Sequence, residues 1–259
     1  LQVRDGFYNE SRVYEIGAEG PLFALDGGDA RLAVGAGYRH NDYQQINGSG
    51  VATVAGGVSS RFGYAELSLP VIGPDQNISG ARRVALTGAV RGEDYDSFGR
   101  VATPKLGVLY DPTADFTLKT SWGRSFKAPR LSQQYARQQA YLYPAASLGG
   151  TGLEAGATML LVAGGNPDLD PERARTWSAS LAFHPEALPG LEAELTRFDI
   201  DYTDRVVQPL NPSQALSNPV YAGFIHRFPT AAEQADVLAK YALYNVSGAD
   251  HDPAKVVAM

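Results

Sequence analysis

The stretch TSWGRSFKAPRLSQQY (120–135) opens a segment that closes with GNPDLDPERARTW (165–177). Its first residues alternate with the period of two that is typical of a β-strand, and Ala128-Pro129 interrupts the pattern until a second strand begins after Pro171. The connection, residues 127–172, is 46 residues long. Connections beyond about 12 to 15 residues without structure of their own are usually functional or disordered. A barrel whose connections alternate between short and long would explain so long a loop between two strands.

The same alternation recurs along the chain. Leu86 and Val90 share one face of a predicted strand, and Arg83 and Arg91 share the other. Strands of about ten residues with one apolar and one polar face are typical of an outer-membrane barrel, whereas a soluble sandwich has shorter strands. We therefore predict an all-β fold, an antiparallel transmembrane β-barrel segment of about eight meandering strands with short periplasmic turns and long extracellular loops. The eight patterns lie at residues 12–22, 31–39, 61–71, 83–91, 101–110, 116–122, 175–183 and 191–202.

The connections are expected to alternate in length. Short turns are predicted near residues 26, 75, 112 and 187, and longer connections near residues 50, 97, 150 and 225. Residues 40–58 are polar and glycine-rich and predict a loop of medium length. A one-residue bulge near Thr196-Arg197 is expected because the apolar residues before and after it lie in opposite phases.

The polar faces of the predicted strands carry many charges. An Arg or Lys that faces lipid at mid-bilayer costs about 2 to 4 kcal/mol, and a typical folding stability is only about 5 to 15 kcal/mol. We therefore expect these side chains to face the barrel lumen, whereas Trp122, Trp177, Tyr110 and Phe183 are expected to form an aromatic girdle. The predicted lumen charges are Arg31, Arg39, Arg83, Arg91, Lys105, Lys119 and Arg175, with Glu15, Glu19, Glu66, Glu192 and Glu194.

An ordered set of motifs resembles the TonB-dependent outer-membrane receptors. The pair SFKAPRL and GNPDLDPE is similar to a paired signature in the second half of their barrel, and three further motifs match in the same order. The resemblance covers roughly residues 12 to 210. The motifs are YAELSLPV (64–71), EDYDSFG (93–99), SFKAPRL (125–131), GNPDLDPE (165–172) and FDIDYTDRV (198–206).

The resemblance implies a barrel of about 22 strands around a plug domain in the bacterial cell outer membrane. It implies energised uptake of a scarce ligand such as a siderophore, cobalamin or a saccharide. The implied partners are outer-membrane lipid, the receptor's own plug domain, and the TonB energy-transducing complex, which acts through the plug. No plug motif lies in this sequence, so we expect residues 1–259 to be a partial barrel domain. Within it, residues 127–172 are expected to form a long extracellular loop and residues 204–259 an extracellular loop region with a short helix at 230–244.

Composition excludes several other classes of protein. The formal net charge is −6 and the isoelectric point is near 5.2, which argues against a nucleic-acid partner because nucleic acids bind basic surfaces. The chain has no cysteine, so it has no thiolate metal site. Its longest apolar run, Met159–Ala163, is far shorter than the roughly 20 residues of a membrane-spanning helix.

Candidate ligand-binding residues cluster in the predicted loops. Aromatic, amide and guanidinium groups can hold a ligand by stacking and hydrogen bonding, although packing of the loop on itself would use the same residues. Asp250-His251-Asp252 and the pair His40 and Asp42 offer too few ligands for a metal site. We therefore expect no metal, no cofactor and no catalytic residue. The alternatives to a segment of a receptor barrel are a small self-closed outer-membrane barrel or a soluble β-rich carbohydrate-binding module. The candidates are Tyr135, Arg137, Gln138, Tyr141 and Tyr143, with His226 and Arg227 as a second group.

Overall fold

A computed structural model of the chain describes residues 5–259. Two sheets organise this part of the chain, an eight-stranded sheet of order β1-β2-β3-β4-β5-β6-β9-β10 and a four-stranded sheet of order β11-β7-β8-β12. The strands are β1 (Gly6–Leu25), β2 (Gly28–Ile46), β3 (Ala52–Ile72), β4 (Arg83–Tyr95), β5 (Gly99–Asp111), β6 (Phe116–Lys127), β7 (Gln139–Pro144), β8 (Thr158–Ala163), β9 (Glu172–Phe183), β10 (Ala193–Thr203), β11 (Ala242–Asn245) and β12 (Val256–Ala258).

The large sheet is an antiparallel meander, which confirms the predicted fold class. Each strand pairs with the next along the chain, and β6 pairs with β9 across the long connection through a continuous register from Phe116↔Phe183 to Lys127↔Glu172. Within residues 5–259, β1 and β10 are the two edges and do not pair with each other. The sheet is therefore open, so the chain does not form the small self-closed barrel that was an alternative.

The first three strands are much longer than the sequence predicted. β1, β2 and β3 contain 20, 19 and 21 residues, and the register of β2 with β3 continues from His40↔Ser59 to Ile46↔Ala52. The predicted loop at residues 40–58 and the long connections near residues 50 and 97 are therefore wrong. Residues 40–45 of β2 are polar on both faces, so hydrophobic alternation disappears there although the ladder of backbone hydrogen bonds persists.

The two ends of the large sheet differ in their connections. Residues 26–27, 73–82, 112–115 and 184–192 make the turns at one end, as predicted, and we call it the short-turn end. The opposite, long-loop end carries the short connections 47–51 and 96–98 together with two long segments, residues 128–171 and the chain after Thr203. The predicted bulge near Thr196-Arg197 is wrong, because β10 pairs with β9 without a register shift from Ala193 to Thr203.

The small sheet lies within the connections of the long-loop end and joins two distant parts of the chain. β7 and β8 form a hairpin, and β11 and β12 from the end of the chain add to its two edges in parallel orientation. Leu142, Leu160 and Val256 are buried together in its core. The 44-residue connection between β6 and β9, residues 128–171, therefore has structure of its own.

Two α-helices accompany the small sheet, α1 (Leu131–Tyr135) and α2 (Ala231–Lys240). The helix predicted at residues 230–244 is present but ends at Lys240, because the following residues pair with β7 as strand β11. Thr230 caps α2 by accepting a hydrogen bond from the Glu233 backbone N–H. Among residues 5–259, neither helix has the length and apolar character needed to cross a bilayer.

Candidate functional site

The two faces of the large sheet differ in chemistry. On one face large apolar side chains are exposed, for example Ile16 at 78%, Leu106 at 57% and Leu195 at 76%. On the other face the polar side chains of Asp111 and Thr117 are buried. We call these the apolar face and the inner face. A sheet that leaves a whole face of large apolar side chains exposed has the reverse of a soluble protein's arrangement.

Charges on the inner face are held in a network. Arg91 donates a hydrogen bond of 2.6 Å to Glu93, and its guanidinium carbon lies 4.1 Å from the centre of the Phe62 ring. Tyr64 donates to Glu15 across 3.0 Å. The strand register places six of the predicted lumen cations on this face, which confirms that part of the sequence analysis. They are Arg31, Arg39, Arg83, Arg91, Lys105 and Lys119.

Arg175 is an exception to the predicted lumen charges. It lies directly opposite Arg124 on β6 and Asp201 on β10, on the face that carries Trp177. Its guanidinium donates a hydrogen bond of 3.1 Å to Asp201. The prediction was wrong because Arg175 lies two residues from Trp177 on the same strand, so alternation places both side chains on one face.

Aromatic side chains lie at two levels of the apolar face. Trp122 and Trp177 are directly opposite each other on β6 and β9. Nearer the short-turn end, the Phe116 and Phe183 rings contact each other with centroids 4.8 Å apart, and Tyr110 lies on the same face opposite Val84 on β4. Two levels of aromatic residues along a strand are the arrangement expected of a girdle.

Glu172 joins three strands where the long connections begin. Its carboxylate forms an ion pair with Lys127 at the end of β6, accepts a hydrogen bond of 2.6 Å from the Tyr202 hydroxyl, and accepts one of 2.9 Å from the Val206 backbone N–H. The Glu172 side chain is only 6% exposed. This junction fixes the bases of both long connections relative to each other.

Two of the predicted ligand-binding residues lie side by side on β7. The rings of Tyr141 and Tyr143 have centroids 6.1 Å apart, and Tyr141 also contacts Tyr244 on β11 at 5.7 Å. We call these three residues the tyrosine cluster. Sequence reasoning missed Tyr244 because it assigned that residue to the helix, whereas Tyr244 lies on β11.

The other three candidates of the long connection attach it to the sheet. The Tyr135 ring packs over Gly56 of β3, the Arg137 backbone N–H donates to the Thr53 carbonyl across 2.9 Å, and the Gln138 side chain donates to Gly165 across 3.0 Å. The Arg137 side chain is exposed. Their contacts are with β3 and the end of the connection, not with the tyrosine cluster.

His226 and Arg227 hold the end of the chain. The His226 backbone donates to and accepts from the Met259 backbone, both at 2.8 Å, and the Arg227 guanidinium donates to the Leu216 carbonyl across 3.0 Å. The His226 ring lies 3.4 Å from the Glu233 carboxylate. No group of three or more metal-binding side chains occurs within residues 5–259.

Comparison with known proteins gives a single family. A family model described as TonB dependent receptor-like, beta-barrel, matches residues 2–250. Among solved structures, the siderophore receptor PirA from Acinetobacter baumannii is similar with a TM-score of 0.55 and 19% identity, over 77% of this chain and 28% of that chain. Because the identity is so low, this similarity shows the fold alone.

Two further receptors have similar folds. The ferric enterobactin receptor PfeA from Pseudomonas aeruginosa, in complex with enterobactin, matches with a TM-score of 0.55 and 19% identity, over 76% of this chain and 27% of that chain. The hemophore receptor HasR from Serratia marcescens, in complex with its hemophore HasA and heme, matches with a TM-score of 0.52 and 18% identity, over 76% and 34%. This chain thus spans about a third or less of the receptors that it resembles.

Proposed function

Because this chain belongs to the TonB-dependent receptor family, we propose that it forms part of the barrel wall of a bacterial outer-membrane receptor for energised uptake of a scarce ligand. The family consists of receptors and transporters, and the chain is not an enzyme. The observation that carries the proposal is the pairing of an exposed apolar face with an opposite face that carries the charged side chains. Lipid covers the first, and a plug domain and water occupy the space beside the second.

The open edges of the large sheet support a place within a larger barrel. β1 and β10 each present an edge without a strand partner in the described residues. In hydrocarbon each unsatisfied backbone group costs several kcal/mol, so a membrane sheet must close. The remaining strands of a barrel of about 22 strands would supply that closure. The short-turn end then faces the periplasm and the long-loop end the exterior, since such barrels carry short periplasmic turns and long external loops.

A ferric siderophore is the ligand that we favour. PirA and PfeA are siderophore receptors by description, and the tyrosine cluster offers stacked rings at the long-loop end, where a ligand would arrive. Aromatic rings with hydroxyl groups bind flat, partly polar ligands by stacking and hydrogen bonding. Cobalamin and saccharides remain the alternatives. Release into the cell would require the plug and the TonB complex as partners.

Ligand uptake in cells tests this proposal. The receptor that contains this chain is expressed in a strain without its own siderophore receptors, and uptake of radioactive iron is measured with several siderophores. We expect uptake that depends on the TonB complex and decreases severalfold with Tyr141→Ala/Tyr244→Ala. Tyr221→Ala, in the same loop region, is the matched control. Uptake of cobalamin or a saccharide but of no siderophore would contradict the favoured ligand and keep the proposed uptake function. Uptake of none of the three would contradict the proposed function.

A further inference from the structure

The apolar face ends in a row of charges at the long-loop end. Toward the long-loop end each strand of the large sheet carries an ionisable residue on this face, and six of the eight are arginines. We call this set the arginine row. In the order of the strands from β1 to β10 it consists of Arg12, His40, Arg61, Asp94, Arg100, Arg124, Arg175 and Arg197.

The arginine row is specific to one end of the sheet. Although the whole chain has a net charge of −6, the row is strongly cationic. At the short-turn end the same face ends in aliphatic or aromatic residues instead, among them Val84, Tyr110 and Phe183. If the charges served only to keep the protein soluble, they would be expected at both ends of the large sheet. The arginine row therefore matches a feature of the surroundings at the long-loop end only.

Half of the arginines in the row lack an acidic partner. Arg12, Arg100 and Arg175 form ion pairs with Glu10, Asp94 and Asp201. In contrast, Arg61, Arg124 and Arg197 have no carboxylate within 4.0 Å among residues 5–259.

Arg124 is also placed directly opposite Arg175. Like charges at such cross-strand positions destabilise a sheet. An anion bound between the two guanidiniums would remove that repulsion, and planar guanidinium groups match the oxygens of a phosphate.

Tryptophan side chains set the level of this cluster relative to a bilayer. Trp122 and Trp177 precede Arg124 and Arg175 by two residues on the apolar face, and the Arg124 guanidinium carbon lies 5.9 Å from the Trp122 ring centre. An open depression of about 500 Å³ is lined by Trp122, Arg175, Trp177, Arg197 and Asp199. Indole rings prefer the membrane interface, so residues just beyond them lie among the headgroups.

We propose that Arg124, Arg175 and Arg197 form a site for the anionic phosphate headgroup of a lipid in the leaflet at the long-loop end, with the acyl chains lying against Trp122 and Trp177. Three arginines outweigh the neighbouring Asp199 and Asp201, so the site keeps a net positive charge. Arg61 makes a weaker contact of the same kind on β3. The inference rests on the proposed place of the chain in an outer membrane.

Quenching of tryptophan fluorescence by brominated lipids tests the site, because Trp122 and Trp177 are the two tryptophans of this chain. The receptor that contains the chain, with any other tryptophan replaced by phenylalanine, is reconstituted in mixtures of phosphatidylglycerol and phosphatidylcholine, with one of the two brominated. We expect brominated phosphatidylglycerol to quench the tryptophans more strongly than brominated phosphatidylcholine. The binding constant of phosphatidylglycerol relative to phosphatidylcholine should be at least two, and it should decrease at high salt.

Variants test whether the arginines cause the preference for the anionic lipid. Arg124→Gln/Arg197→Gln should bring the relative binding constant close to one, and Arg124→Lys/Arg197→Lys should retain part of the preference because the charge remains. Lys119→Gln, which removes a charge from the inner face of β6, should leave the preference unchanged. Added inorganic phosphate should not abolish the preference, since the acyl chains contribute to binding.

The outcomes separate this inference from the proposed function. Equal quenching by the two lipids, or a preference that persists in the Arg→Gln variant, would overturn the lipid site and leave the membrane placement standing. An absence of quenching by either lipid would mean that the tryptophans do not face lipid, and it would overturn the membrane placement itself.

Discussion

The Tyr202 hydroxyl donates a hydrogen bond of 2.6 Å to the Glu172 carboxylate, and this contact joins β10 to β9 at the point where both long connections begin. The same carboxylate is paired with Lys127 on β6. One side chain therefore fixes three strands and the start of two loops. The position of the small sheet relative to the barrel wall depends on this junction.

Glu172→Gln is expected to loosen the loops without unfolding the large sheet. The amide keeps the size of the side chain but removes the charge that attracts Lys127 and strengthens the hydrogen bond from Tyr202. Limited proteolysis should cut residues 128–171 and 204–230 severalfold faster. Glu66→Gln, a carboxylate elsewhere on the inner face, should not change the pattern. Equal resistance of Glu172→Gln and the parent protein would show that the junction does not hold the loops.

Leu160→Ala is expected to destabilise the small sheet by about 2 to 5 kcal/mol, the usual range for a buried leucine. Leu160 is fully buried against Leu142 and Val256, whereas Val162 on the same strand is 41% exposed. Hydrogen exchange of the β7 and β8 amides measures the effect, and Val162→Ala is the control. Equal effects of the two variants would contradict the burial described above.

Gly56→Val tests the attachment of the long connection to β3. A Cβ atom at this position would overlap the Tyr135 ring, whereas a Cβ atom at Gly92 would meet no atom within 4 Å. Overpacking of this kind typically costs about 1 to 3 kcal/mol. We expect Gly56→Val to displace α1 and expose the Tyr135 ring to chemical modification, with Gly92→Val as the matched control. An unmodified Tyr135 in Gly56→Val would contradict the packing.

Helix α2 is expected to lose stability as the pH falls. Hydrogen bonds from the Thr230 backbone N–H and hydroxyl, together with His226, lower the pKa of Glu233 below its usual value of 4.5. A carboxylate whose pKa is lowered by folding stabilises the folded state above its unfolded pKa, and the contribution is lost as the pH falls through the folded pKa.

Amide exchange of residues 231–240, measured from neutral pH to below 4.5, detects this loss. In Glu233→Gln the stability of α2 should be lower at neutral pH and nearly independent of pH in the acidic range. A parent helix that is equally protected at every pH would be inconsistent with the capping role of Glu233.

Leu106→Arg tests which face meets lipid. Leu106 lies in the middle of the apolar face, and Lys105 beside it points to the inner face. An arginine that faces lipid near the bilayer midplane costs about 2 to 4 kcal/mol. We expect folding into vesicles to be impaired for Leu106→Arg and unchanged for Lys105→Arg. A soluble domain would tolerate both substitutions equally.

Much of the large sheet could be predicted because lipid imposes a strict pattern. Leu86 and Val90 must alternate with polar residues when one face meets hydrocarbon and the other water, so the strand is readable from local sequence. The ladder beyond the apolar part of the sheet, residues 40–46 for example, has no such requirement. It was therefore read as a loop although its backbone pairs as regularly as the rest.

The candidate ligand site was less predictable. Tyr141 and Tyr143 were found because both lie on one short strand, but Tyr244 joins them through parallel pairing with a segment about a hundred residues further along the chain. Tyr135 and Gln138 have the same residue chemistry yet attach the loop to its surroundings. Composition does not separate these two roles, because they differ only in which neighbours the fold supplies.

The sequence by itself determined the class of fold, the eight wall strands and the family, since alternation and motif order are local properties of the chain. The tertiary structure alone decided that the wall is open and that the two long connections share one small sheet. The physical reason is that strand pairing brings together residues far apart in sequence. The register places Arg124 directly opposite Arg175, a relationship that no single stretch of the chain displays.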